Sequence, residues 1–363
     1  MTGKDTARGP ALRRLPLLAL GFVALIVGTM AGLARLGWPA GAAASAAALH
    51  GPLMTCGFFG VVIALERAVA IGRAWAYLGP LLAGVGTLLV LSGSGIGAWL
   101  QAAGATVLLA ATADAFRRQR ALFTFTLLLG ALAFVVGCVS WAAGGAVAEA
   151  VPWWLAFLVL TIAGERLELA RLRPPSVVAT RVFAAILGAV AVALLAALAA
   201  APWSTRLFAV ALLALAAWLL KQDIARRTVR STGLTRFIAV CLLSGYFWLA
   251  VGAAVLLAAG DLQPGAAAYD ATLHALLFGF VFSMVFGHAP IIFPAVLRGA
   301  LPYRASFYAP LALLHASLVV RLMGDAAGRF DLTRLGGLLG ALALAAFIGN
   351  TIAAVARGRR SPG

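Results

Sequence analysis

DATLHALLFGFVFSMVFGHAPIIFPAVL, Asp270 to Leu297, is apolar almost throughout and yet contains His274 and His288, two of the four histidines in the chain. A run of that length without Lys or Arg is long enough to cross the hydrocarbon core of a bilayer. In lipid it must close its own backbone hydrogen bonds, which makes it a helix. An ionisable side chain in such a run costs a few kcal/mol even on lenient insertion scales, so its presence points to function. At about 100° and 1.5 Å per residue, the 14-residue separation is expected to place both imidazoles within about 40° of one helix face, about 21 Å apart along the axis.

The rest of the chain resembles this stretch. Of its 363 residues, 63% are hydrophobic and only 11% charged, and the mean hydropathy is +1.03. No water-soluble core encloses that much apolar surface, so the expected fold class is all-α, a polytopic membrane protein whose partner is the lipid bilayer. Twelve spans are expected, near 16–36, 45–68, 75–95, 98–115, 121–143, 151–170, 178–200, 202–220, 235–259, 267–296, 304–323 and 334–356. They form one transmembrane domain over 16–356, between a polar N-terminal tail, 1–15, and a basic C-terminal tail, 357–363. The connectors are short, so any chemistry is expected inside the bilayer.

The net charge of +17 raises the question of nucleic acid, but the basic residues are scattered over connectors rather than gathered on one arm. No nucleic-acid partner is expected. With the N-terminus inside, Arg35, Arg206, Arg321, Arg329 and Arg334 fall outside and the remaining 23 of the 28 Lys and Arg fall inside. That asymmetry predicts an inner (cytoplasmic) membrane location with both termini cytoplasmic. Trp38, Trp75, Trp141, Trp153, Trp154 and Trp203 are expected at span ends as interfacial rings. Cys56, Cys138 and Cys241 fall singly in different spans and are expected as buried small hydrophobes, not disulfides.

A weak repeat links three spans. Helix 2 ends in IALERAVAIGRA (63–74), helix 6 in TIAGERLELARL (161–172), and helix 10 in Gly287-His288 followed by Arg298. The spacing suggests a four-helix unit used three times, a 4+4+4 pseudo-threefold bundle, although Glu-Arg pairs also occur as plain interfacial charge compensation.

His50 and His274 are expected at matching depths near the outer ends of helices 2 and 10. Two imidazoles from different helices can approach an iron from opposite faces, so they are candidate axial ligands of a low-spin haem b. The alternative is two unrelated histidines, each bonded to a neighbouring helix. Gly51, Gly57, Gly60 and Gly279 would let a flat macrocycle pass, but glycine is also common at plain helix contacts in membranes.

His288 and His315 lie about equally far from a turn centred near residue 301, so an antiparallel hairpin would bring them level. With Glu66 and Glu165 they form a candidate two-histidine, two-carboxylate cluster for copper, another transition metal or a proton relay. The alternative pairs Glu66 with Arg67 or Arg73 and Glu165 with Arg166. Met54 and Met284, each four residues from a histidine, are candidate soft ligands, though methionine at helical spacing is more often packing. Pro290 and Pro294 are expected to free carbonyls at the inner end of helix 10.

Twelve spans, a histidine near the outer end of helix 2 and another on helix 10 resemble subunit I of the haem-copper oxidases, a family that includes the nitric oxide reductases. The resemblance implies that His50 and His274 ligate the low-spin haem. It also implies a histidine on helix 6, a pair on helix 7 and a second one on helix 10, but residues 151–200 contain none and Thr272 stands two before His274. A complete oxygen- or NO-reducing site is therefore not expected. What remains is similar to non-catalytic, NnrS-type relatives, which implies redox sensing, nitric oxide response or electron transfer with a redox partner. A secondary transporter or metal/proton carrier using Glu66, Glu165, His288 and His315 is the alternative, and an assembly subunit of a respiratory complex a third reading.

Overall fold

The computed structural model of the protein describes residues 14–172, 174–297 and 302–358. The expected polar N-terminal tail apart from its last two residues, most of the basic C-terminal tail, and Arg298 lie outside the described residues.

Twelve helices among the described residues are long and apolar enough to cross a membrane, and no strand is present among them. They are α1 (Leu15–Arg35), α2 (Gly41–Ile71), α3 (Ala74–Leu91), α4 (Ile96–Arg118), α5 (Leu122–Ala142), α6 (Val147–Leu169), α7 (Val177–Leu198), α8 (Ser204–Gln222), α9 (Gly233–Ala259), α10 (Ala267–Ile292), α11 (Ala305–Ala327) and α12 (Phe330–Arg357). Each starts and ends within several residues of the expected span, because the apolar run has to match the bilayer thickness. The chain is an all-α multi-pass membrane protein.

The helices group into two compact units. One comprises residues 1–161 and 291–300, the other 162–290 and 301–363, so α6 and α10 contribute to both. In the first unit α1 packs along α2 and α5 against α6, where the Phe134 and Phe157 rings stack at 4.1 Å. In the second, α7, α8 and α9 pack in succession, α9 lies along α10, and α11 and α12 form a hairpin turned by Gly328 at φ +63°. A residue with a β-carbon would be strained at that left-handed turn.

Two expectations about side chains change. Trp153 and Trp154 are 8% and 2% exposed and belong to the packed face of α6, not to the membrane interface. Gly137 on α5 leaves the notch that receives the Trp154 ring: a β-carbon there would stand 2.7 Å from Trp154 Cδ1. The three cysteines are buried and free, as small hydrophobes, but Cys56 and Cys138 are not solitary, since their sulfurs touch at 3.6 Å between α2 and α5.

Candidate functional site

α2 is not uniformly coiled. The small-residue run Gly41–Leu49 is a 3-10 helix, His50–Pro52 is α, Leu53–Phe59 is a π-helix, and Gly60–Ile71 returns to α. Pro52 has no N–H to donate, which breaks the ordinary ladder where the register changes. Such widened segments recur at functional sites in helices. His50 stands just before the widening. Its Nδ1 lies 2.7 Å from the Gly28 carbonyl of α1, and since a carbonyl only accepts, Nδ1 carries the proton and Nε2 is the basic nitrogen of the neutral ring. Gly32, one turn further along α1, makes room: a β-carbon there would lie 2.8 Å from the imidazole Cε1 and Nδ1.

α10 repeats the arrangement. Ala267–Leu273 is α, His274–Val281 is π, and Phe282–Leu297 is α. His274 Nδ1 donates to the Asp270 carbonyl at 2.9 Å and lies 3.3 Å from Asp270 Oδ1. The Asp270 carboxylate is gripped in turn by Arg321 of α11, with Nε to Oδ2 at 2.7 Å and Nη2 to Oδ1 at 2.8 Å. Arg321 is 8% exposed, so the expected outer-loop cation is a paired intramembrane group. Thr333 of α12 donates to Asp325 Oδ1 at 2.9 Å, one turn beyond Arg321. A carboxylate behind an imidazole fixes its tautomer and orientation and raises the basicity of the other nitrogen, as second partners of metal-ligating histidines do.

His315 accepts a hydrogen bond at Nδ1 from Trp248 Nε1 at 2.9 Å, with the rings 6.4 Å apart and inclined by 22°. In the neutral ring the proton is then on Nε2, which is buried with no partner among the described residues. Thr272 Oγ1 is buried and likewise unpartnered.

The expected meeting of His288 and His315 does not occur. Arg321 is level with Asp270, and Trp248, the partner of His315, packs on Gly279. These contacts put His315 nine to twelve residues before His288 along α10, roughly 13 to 18 Å away at the helical rise.

Nor do His274 and His288 share a face. The π segment between them widens the coil, and one residue's worth of extra winding turns everything beyond it by about 100°. His274 addresses Asp270, whereas His288 Nδ1 donates to the Met284 carbonyl at 2.7 Å and the ring sits within electrostatic reach of Arg166 and Asp223.

Those two residues form a second buried network. Arg166 donates from Nε to Asp223 Oδ2 at 2.7 Å and from Nη2 to Oδ1 at 3.0 Å; Tyr246 adds its hydroxyl at 2.6 Å and the Ala225 amide completes the shell at 2.7 Å. The expected pairing of Arg166 with Glu165 is thus replaced by a bidentate bond to Asp223, and no ion pair joins Glu66 to Arg67 or Arg73 among the described residues. No group of three or more His, Cys, Asp or Glu that could hold a metal ion is present among the described residues. Met54 and Met284 fill notches at Gly28 and Gly245, which is packing.

The family described as Domain of unknown function (DUF8744) matches residues 14–356. The chain belongs to that family. No curated protein matches the chain. The family match takes in every helix and both networks described above, so the anchored histidines and the Arg166–Asp223 and Asp270–Arg321 pairs all lie within the family's domain. Of the buried charged groups in it, Asp223 carries the weakest signal in the sequence, because it stands in a connector 57 residues from its partner. The one available signal was an acidic residue, rare in this chain, at the end of an apolar run.

Proposed function

We propose that the protein is a haem-b-binding integral membrane protein with His50 and His274 as axial ligands. It would resemble haem-copper oxidase subunit I without the copper-site histidines, and serve redox sensing, nitric oxide response or electron transfer in the inner membrane, with both termini cytoplasmic. The observation that carries the reading is the matched treatment of the two rings. Each is anchored through Nδ1 to a backbone carbonyl, and a π-helical widening begins at His274 and three residues after His50. That anchoring leaves Nε2 as the basic nitrogen, the atom an iron takes.

The surroundings fit such a group. A β-carbon at Gly51 would meet only Val147 Cγ1, at 3.6 Å, so the backbone beside His50 is open. Near His274, Thr272 Oγ1 and His315 Nε2 are buried polar atoms without partners, and buried polar groups are normally satisfied, so acceptors on a bound group would complete them. The Asp270–Arg321 pair holds His274 in one orientation. Haem would supply a one-electron centre; the chain's own residues bind it, orient the imidazoles and exclude water. A carrier built on Glu66, Glu165, His288 and His315 has less support, since His288 and His315 are not level.

Reduced-minus-oxidised spectra of the purified protein test this. A sharp b-type band lost in His50→Ala and in His274→Ala is expected. Absence of the band, or its survival in both variants, overturns the reading.

A further inference from the structure

At the end of α8, an open groove of about 620 Å³ is lined by Ala217, Leu220, Lys221, Arg226, Arg230 and Leu243. Its two halves differ in chemistry. Ala217 and Leu220 lie in the apolar span of α8 and Leu243 in that of α9, so this wall faces hydrocarbon. Lys221 closes the span, and Arg226 and Arg230 sit in the connector beyond it, where a membrane helix meets its interface.

None of the three cations forms an ion pair with a described residue. The nearest acid in the sequence, Asp223, is buried and already bound by Arg166, Tyr246 and the Ala225 amide, and neither α8 nor α9 contains another carboxylate. Like charges gathered on one groove repel unless an anion joins them, and guanidinium groups match phosphate oxygens bidentately. An occupant that meets both halves carries an anion at the interface and hydrocarbon beside it. A soluble nucleotide or an acidic peptide satisfies the first requirement and not the second.

We propose that this groove holds an anionic phospholipid, its phosphate between Lys221, Arg226 and Arg230 and its acyl chains along Ala217, Leu220 and Leu243. Basic pockets between helix ends are suited to such headgroups.

Native mass spectrometry of the delipidated full chain, titrated with phosphatidylglycerol or with phosphatidylcholine of the same acyl chains, tests the site. The wild type is expected to prefer phosphatidylglycerol at least tenfold, at roughly fivefold per basic group engaged. Lys221→Gln with Arg226→Gln and Arg230→Gln is expected to abolish the preference, while Arg227→Gln with Arg236→Gln, exposed cations off the groove, is expected to keep it. Should the triple variant not fold, Arg226→Gln and Arg230→Gln are measured singly, each with a several-fold loss expected. Retained preference in the groove variants, an equal loss in the off-groove control, or displacement of the lipid by millimolar inorganic phosphate overturns the proposal.

Discussion

Arg321 and Asp270, 51 residues apart in sequence, meet in a two-pronged ion pair with contacts of 2.7 and 2.8 Å, and the same carboxylate stands behind the His274 imidazole. The pair ties α11 to the exact turn of α10 from which the histidine projects. It is therefore both a register lock and the means of aiming a ring.

Asp270→Asn removes the charge and leaves Arg321, 8% exposed, without its bidentate partner. Since the Asp270 side chain is 30% exposed at the helix end, the loss is expected to be about 2 to 3 kcal/mol, under that of a fully buried pair. Thermal unfolding in detergent measures it. Asp270→Asn with Arg321→Met is expected to recover more than half of the loss, because the stranded charge is gone.

The same Asp270→Asn substitution bears on the haem reading. A carboxylate near Nδ1 makes Nε2 more basic and favours the oxidised, more positively charged iron. Neutralising it is expected to raise the reduction potential without removing the b-type band, measured by spectroelectrochemical titration. A potential equal to that of the wild type counts against His274 as an axial ligand.

The Arg166–Asp223 network is more deeply buried, with side-chain exposures of 6% for Arg166 and 2% for Asp223. Arg166→Met is expected to cost about 3 to 5 kcal/mol by stranding the carboxylate. Tyr246→Phe removes one bond to a charged acceptor and is expected to cost about 1.5 to 3 kcal/mol. Arg166→Lys should not rescue, because an ammonium cannot reproduce the fork. Unfolding midpoints of the three variants rank these effects.

Gly32→Ala places a β-carbon 2.8 Å from the His50 ring, and the ring or α1 has to move. A loss of about 1 to 3 kcal/mol is expected, with the b-type band shifted or lost as the ring leaves its seat. Gly51→Ala, next to His50 on α2 and with only a contact at 3.6 Å to meet, is the control and should fold normally.

The twelve spans were legible because each is an apolar run cut to the thickness of a bilayer, and that signal is local. His50 and His274 stood out for the same reason, as ionisable groups in hydrocarbon. The π segments at Leu53–Phe59 and His274–Val281 were not legible, since a one-residue change of hydrogen-bond register leaves the apolar pattern intact. The pairing of Arg166 with Asp223, 57 residues apart, was missed because an ion pair between distant segments is decided by packing, which spacing along one helix does not report. The level of His315 was misplaced for a related reason: the register of α11 on α10 is set by packing contacts such as Arg321 with Asp270 and Trp248 with His315, which counting residues from a turn does not report. Trp153 and Trp154 were assigned to the interface by type alone, whereas Gly137 opposite them offered a slot in the packed interior.

The widened stretch of α2 works as a splice. It lets the end that bears His50 and the end that bears Glu66 be turned independently, each to suit its own neighbours, within one unbroken rod. Rewinding Leu53–Phe59 to ordinary pitch with every residue kept would swing one end by about a quarter-turn against the other, whereas deleting one residue there would restore ordinary pitch and leave both ends facing as they do. A chain rewound in that way would keep its hydropathy profile and lose the fit of one end to its neighbours.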